Sequence, residues 1–452
     1  MSGIAGIARE GRTSDVDRML DRISHRGRAG RQILEVSGAT LGAIWPAPQL
    51  DSLVAGESAV QDRDDNGRCA RAQALDGTVT LLRDTVGVAP LYYGRLPDGA
   101  LCFASEVKAM LAVTRDVAEL PPGCEYNGGV TIRSQLRKHS PLEEDATSIA
   151  IELRRRLEVS VRNALKAEKA GAWLSGGLDS SAIAALARPH LRTLHTSAGG
   201  LPGSPDLKHA REVAEFIGSE HHEIVVNVDD LLGVLPQVIY QLESFDALLV
   251  RSSLMNYLVA KAAAQYAPEA FSGEGGDELF AGYEYLKALA PADLDDELID
   301  ITRRLHNTAL QRVDRCAAAH GLLPHVAFLE PEVVDYALRI PVEFKLRDGV
   351  EKWILRKAME GALPSQVLSR PKAKFWEGCG VGELLADRAA QWISDGDFAR
   401  ERHLRNGWKL NTKEEVMYYR IFQEHYGTLM DISWMGRTKG APEENAHGRT
   451  VP

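Results

Sequence analysis

Ser175-Gly176-Gly177-Leu178-Asp179-Ser180-Ser181 lies between the apolar stretch Gly171 to Leu174 and a helical pattern that begins near Ser180. A glycine pair at such a junction lets backbone amides turn toward a ligand. The new helix adds unpaired N–H groups and the positive end of its dipole, so the word reads as an anion site. Ser175 and Ser180 add hydroxyl donors. It is not a Walker A loop, because the GxxxxGK[ST] spacing and its lysine are missing. For a bare SGG, a glycine turn with a serine cap is the plainer alternative.

From Gly171 onward, short apolar runs alternate with amphipathic segments: GAWLS then DSSAIAALA, LRTLHTS then DLKHAREVAEFIG, HHEIVV then DDLLGVLPQVIYQL, EAFSG then DELFAGYEYL. That alternation predicts a parallel sheet with crossover helices, whose ligands lie beyond the carboxyl ends of the strands. Upstream, TVTLL, VGVAPLYYG and ALCFASE are separated by Gly, Asp and Pro signals, which suits an antiparallel β-rich unit. The polar segment RKHSPLEEDAT precedes a helix with Ile149, Leu153, Leu157, Val161, Ala164 and Leu165 on one face, and places a boundary near residue 140. The expected organisation is α/β overall: residues 1–140, residues 141–436, and a disordered tail over 437–452, where apolar periodicity is missing. No internal repeat is visible.

Of the 452 residues, 44% are hydrophobic and 26% charged, as in ordinary globular proteins with sizeable cores. A net charge of −10 without any Lys/Arg run disfavours a nucleic-acid partner. No stretch approaches the roughly 18 apolar residues of a membrane span, so a cytoplasmic enzyme without membrane contact is expected. Cys69, Cys102, Cys124, Cys316 and Cys379 are odd in number, scattered and without CxxC spacing, and read as reduced structural thiols. His221 and His222 are adjacent. On a strand they point to opposite faces, and no third ligand is spaced to join them, so they read as structural.

SGGLDSS after a strand resembles the pyrophosphate-binding loop of ATP pyrophosphatases. Phe271-Ser272-Gly273-Glu274-Gly275-Gly276-Asp277-Glu278 resembles the second signature of the asparagine synthetase and β-lactam synthetase family, usually SGEGSDE. The similarity continues in VIYQLESFD, VRSS, AHGLLPHVAFLE, GVEKWILRKAM and SRPKAKF, covering nearly all of residues 150–385. It implies a reduced, Ntn-like β-rich α+β domain related to glutamine amidotransferases, followed by an ATP-pyrophosphatase domain with a parallel sheet. It also implies ATP and Mg²⁺ as cofactors. By that resemblance the loop of Ser175, Gly176, Gly177, Asp179 and Ser180 holds the β- and γ-phosphates, Asp179 and Asp277 share the magnesium, and Leu174, Ser272, Gly273 and the stretch around Ala198 frame AMP. Leu174 also reads simply as core. Glu274 is implied as the base for the nitrogen, with a helix N-cap acid as its plainer alternative, and Lys372 as the cation for charge growing on the phosphates. Lys352 and Arg251 are weaker candidates for the polyphosphate region.

Glutamine-dependent members begin MCGI, whose cysteine is the nucleophile, whereas this chain begins Met1-Ser2-Gly3-Ile4. His25-Arg26-Gly27, Arg83-Asp84 with Gly87, Pro90-Leu91-Tyr92-Tyr93 and Phe103-Ala104-Ser105-Glu106 remain as landmarks, but residues 45–75 hold nothing like the family's NGEIYN word. The resemblance therefore implies a synthetase acting on a small-molecule carboxylate with ammonia or an amine, a homodimer being admissible, and the glutaminase fold kept as scaffold. Ser2 acting on an amide, an intramolecular cyclase and a catalytically dead regulatory relative stay open. Where the family writes AHGLELRVPFLD, this chain has Leu323, Pro324, His325 and Glu330, which puts free aspartate in doubt as the acid.

Overall fold

The computed structural model describes residues 2–46, 59–63, 69–371, 379, 381–439, 443–444 and 450–451. The amino-terminal unit is built from β1 (Gly3–Ile7), α1 (Thr13–Arg22), β2 (Gly30–Val36), β3 (Ala39–Trp45), β4 (Ala59–Arg63), β5 (Cys69–Leu75), β6 (Thr78–Arg83), β7 (Tyr92–Arg95), β8 (Leu101–Ala104), α2 (Val107–Met110), β9 (Ala118–Glu119), β10 (Cys124–Tyr126) and β11 (Val130–Ile132). They form two antiparallel sheets, of order β2-β3-β1-β8-β7-β9 and β11-β10-β6-β5-β4. Strand alternation explains the layering. Ile4 of β1 packs with Leu41, Val60 and Leu81 between the sheets, whereas Ala5 and Ile7 face Val16 and Leu20 of α1.

Three of the retained sequence landmarks are fixed by hydrogen bonds inside this unit. Asp84 accepts hydrogen bonds from the amides of Gly87 (2.7 Å) and Val88 (3.1 Å), and Arg83 donates to Ala89 O (2.9 Å) and Leu120 O (2.8 Å). Glu106 receives Arg26 and His25, and Ser105 Oγ accepts from the Ile4 amide at 2.9 Å.

The second unit opens with α3 (Ala146–Ala164), whose Asp145 cap accepts from the amides of Thr147 and Ser148 and whose buried face carries Ile149, Leu153, Leu157 and Val161. There follow β12 (Lys169–Trp173), α4 (Leu178–Ala187), β13 (Thr193–Gly200), α5 (Pro205–Ile217), β14 (Glu220–Val225), α6 (Val228–Leu242), α7 (Ala247–Ala263), β15 (Glu269–Phe271), α8 (Gly276–Leu279), α9 (Pro291–Arg303), α10 (Ala309–Ala318) and β16 (Leu323–His325). The five strands are parallel, in the order β14-β13-β12-β15-β16. Chain order runs outward from β12 to β13 and β14, then returns to β15 and β16 on its other side. The reversal lies between β12 and β15, where doubly wound sheets open a crevice for ligands. β16, too short to be marked by periodicity, was not foreseen. Among the described residues no helix is long and apolar enough to cross a membrane.

The units share one core, since α1 and α2 pack with Leu231, Leu235, Val238 and Ile239 of α6. They also share a buried ionic network. Arg26 contacts Asp314 of α10, Arg315 reaches Glu243 at 3.0 Å, and Lys108 bridges Glu106 and Glu243. Lysine and arginine neighbours hold the Glu106 carboxyl well below its ordinary range against the opposing effect of burial. At the rim Glu119 of β9 accepts from Arg83 (2.6 Å) and meets His306 of the second unit at 2.7 Å.

Removing one partner from a dry ion pair leaves the other charge without compensation, at a cost of about 3–5 kcal/mol. Arg315→Met is therefore expected to lower unfolding free energy by about that amount in chemical denaturation. A change below roughly 1 kcal/mol would show that the network does not hold the units together.

Candidate active site

β12 ends at Trp173, and the Leu174 amide still donates to Ser197 O at 2.9 Å before the chain turns away. Gly176 then adopts φ +70°, and a Cβ there would lie 2.5 Å from the His209 backbone, so this turn requires glycine. Gly177 caps α4 without a side-chain hydrogen bond, leaving the first amides of the helix directed out of the loop. Ser175 Oγ and Ser180 Oγ lie 3.1 Å apart beside those amides. The loop thus presents the helix amides and two hydroxyls side by side, the arrangement the word suggested for an anion.

The turn after β15 closes on the same point. A Cβ on Gly273 would come 2.7 Å from the Ser180 amide, one on Gly276 2.6 Å from Asp179 Cγ, and one on Gly282 2.1 Å from Asp277 Oδ1. These three positions lack side chains because Asp179 and Asp277 are packed against their backbone. Lys352 reaches the same place from the left-handed region, at φ 56°, with its amide donating to Phe280 O at 3.1 Å. Its Nζ contacts Asp179 and sits 2.5 Å from Asp277 Oδ1, and Lys352 is only 2% exposed. A non-glycine residue held there marks a geometry that the surroundings impose.

Leu174, Ser175, Gly177, Asp179 and Ser180 line one cavity of about 900 Å³ together with Ser272, Gly273, Glu274, Asp277 and Lys352, while Gly176 does not line it and packs against the His209 backbone. Lys372 falls outside the described residues. Arg370, two residues before it, pairs with Asp206 at 2.8 Å and lines the cavity with Pro371. Arg251, a weaker candidate for the polyphosphate region, instead pairs with Glu414 of the helix Lys413–Tyr426 and is not part of the cavity lining. Leu323, Pro324, His325 and Glu330 do not line it either: β16 buries the first three, and His325 meets Glu269 at 3.0 Å.

Several lining residues had no signal in the sequence. Arg312 of α10 contacts Glu274 on the side of the cavity away from the cradle. Tyr283 donates to Glu278, whose carboxyl is pushed up to about 7 by burial and by Asp277 and Glu274 beside it. Ile301, Leu305 and Ala309 add an apolar wall with Arg304 beside it. Arg437, Thr438 and Lys439, read from sequence as the start of a disordered tail, are fastened across the cavity instead. Thr438 donates to Asp246 (2.7 Å), and Lys439 pairs with Glu297 (2.7 Å) and Asp300 (2.9 Å). Their anchors are acids distant in sequence, which periodicity does not register.

Asp179 and Asp277 offer hard oxygen donors that converge on one ammonium nitrogen, close enough to share a divalent ion of magnesium's kind. His221 and His222 do point to opposite faces, His221 toward Thr196 Oγ1 at 2.9 Å. The expectation that nothing joins them is corrected for His222, which meets His195 of the neighbouring strand at 3.1 Å.

The asparagine synthase family matches residues 152–296 and 290–438, and the glutamine amidotransferase domain family matches residues 70–122. Asparagine synthetase B [glutamine-hydrolyzing] of Escherichia coli is 35% identical over 368 residues, 76% of this chain and 66% of that protein. The asparagine synthetase of Gallus gallus is 32% identical over 88% of this chain and 82% of its own length. A probable asparagine synthetase of Schizosaccharomyces pombe is 35% identical over 82% of this chain and 74% of its own. This chain thus spans about two thirds to four fifths of these relatives, and with both signature turns assembled at the switch point of a parallel sheet it belongs to the asparagine synthetase family.

Proposed function

We propose that this chain uses ATP to adenylate a small-molecule carboxylate and passes the acyl group to ammonia or an amine, without hydrolysing glutamine. The observation that carries the reading is the convergence, in one cavity, of an uncapped helix terminus, two acids with a lysine, and the Glu274–Arg312 pair beyond them. The amides of α4, with Ser175 and Ser180, receive the β- and γ-phosphates. Asp179 and Asp277 would hold a divalent ion, which supplies charge neutralisation on the departing pyrophosphate. Lys352 and Lys372 add positive charge to the same region. Arg304 and Arg312 orient the acid, and the wall of Ile301, Leu305 and Ala309 gives it an apolar flank.

In the first step a carboxylate oxygen bonds to the α-phosphorus as the bond to pyrophosphate breaks. In the second, nitrogen adds to the acyl carbon, AMP leaves, and Glu274 takes the proton that nitrogen loses. The glutamine-free part of the reading rests on Ser2, a hydroxyl where glutamine-dependent members carry a thiol. A hydroxyl is a weaker nucleophile at neutral pH. Of residues 45–75, where the family's NGEIYN word is missing, 47–58 and 64–68 fall outside the described residues.

Asp277→Ala is expected to abolish pyrophosphate release, measured with ATP, ammonia and a panel of acids, whereas His221→Ala keeps most of it. Glutamine in place of ammonia is expected to give no product and no glutamate. Near-wild-type turnover in Asp277→Ala would refute the site, and stoichiometric glutamate release would refute the nitrogen source. Glu274→Gln separates the half-reactions: product should fall by about 100- to 10,000-fold while adenylation persists. Lys372→Ala should instead lose pyrophosphate exchange itself. Equal loss of exchange in both variants would show that Glu274 organises the acid or ATP rather than the nitrogen.

A further inference from the structure

We propose that His195, Glu220 and His222 form a binding site for a divalent transition-metal ion, of the zinc class, at the opposite end of the sheet from the ATP cavity. The parallel register pairs His195 of β13 with Glu220 of β14 and Ser197 with His222. Glu220 and His222, two apart on one strand, therefore share a face and both meet His195. One ligand atom from each of the three lies within 4.8 Å of the others. His195 Nδ1 is 3.1 Å from His222 Nε2 and 3.4 Å from Glu220 Oε2. Bonds of about 2.0–2.1 Å in a tetrahedral zinc site separate neighbouring ligand atoms by about 3.3–3.4 Å. The two distances from His195 are within about 0.3 Å of that spacing.

Two further features prepare the site. The Tyr266 ring stacks on His222 at 3.7 Å and 10° and lies 5.5 Å from His195, so it fixes both imidazole planes. Glu220 supplies the compensating negative charge, and its 64% exposed side chain leaves the remaining coordination position open to water. The ligands sit at the amino-terminal ends of β13 and β14, whereas the signature loops leave the carboxyl ends of β12 and β15. An ordinary hydrogen bond between the two imidazoles is the competing account.

Zinc chloride titrated into the full chain against a chromophoric chelator separates the two, with cobalt(II) absorption reporting the coordination. One equivalent is expected, with the intense visible bands of four-coordinate cobalt. His222→Ala and Glu220→Gln should each weaken it by at least about 10- to 100-fold, the range already found for groups that merely support ligands. Exposed Glu220 can be changed without disturbing the fold, which thermal melting checks. His221→Ala and Asp277→Ala should bind as the wild type does. Absence of stoichiometric binding, equal affinity in Glu220→Gln and His222→Ala, or loss of the ion in Asp277→Ala would overturn the assignment.

Discussion

Two carboxylates and one ammonium meet at a nearly dry point between the strands where the sheet reverses, and the remaining features of the cavity are arranged around them. Asp179, Asp277 and Lys352 carry a net charge of −1, a poor starting point for receiving a polyphosphate. On the proposed function such a cluster would accept its anion together with a cation, which would tie nucleotide binding to a divalent ion as well as to the helix terminus. Gly273, Gly276 and Gly282 stand where any larger residue would push the acids apart. The left-handed backbone of Lys352 delivers its side chain from a third segment.

The amino-terminal unit contributes to this arrangement from a distance. Its landmark residues His25 and Arg26 bind Glu106, and Arg26, Glu106 and the Ser105 carbonyl meet Asp314 and Arg315 of the helix α10 that also carries Arg312 into the cavity. Words that also dock the two units have a physical reason to persist whichever residue stands at position 2. That gives a physical reason for the mixture found at the start of the chain, where Ser2 stands at the nucleophile position and the surrounding landmarks persist.

Much of this was legible before any coordinates. The alternation of apolar runs and amphipathic segments, and the two glycine-rich words, lead to the parallel sheet and to both turns of the cradle, because those signals are local: a period, a turn residue, a helix start. What escaped depends on partners far apart in sequence. Arg312 is one of many arginines until α10 places it against Glu274. Arg251 belongs to Glu414, 163 residues away. Arg437 to Lys439 have no periodicity, yet acids on α9 and before α7 hold them. His222 gained its neighbour through strand register, which a reading along one strand omits.

The most direct test of the central claim follows an oxygen atom. With a carboxylate substrate labelled in both oxygens with ¹⁸O, adenylation transfers one label to the phosphate of AMP when the amide forms. The account predicts AMP carrying one ¹⁸O per amide made and unlabelled pyrophosphate. Label in inorganic phosphate, with ADP as the nucleotide product, would mean attack at the γ-phosphorus and would contradict it.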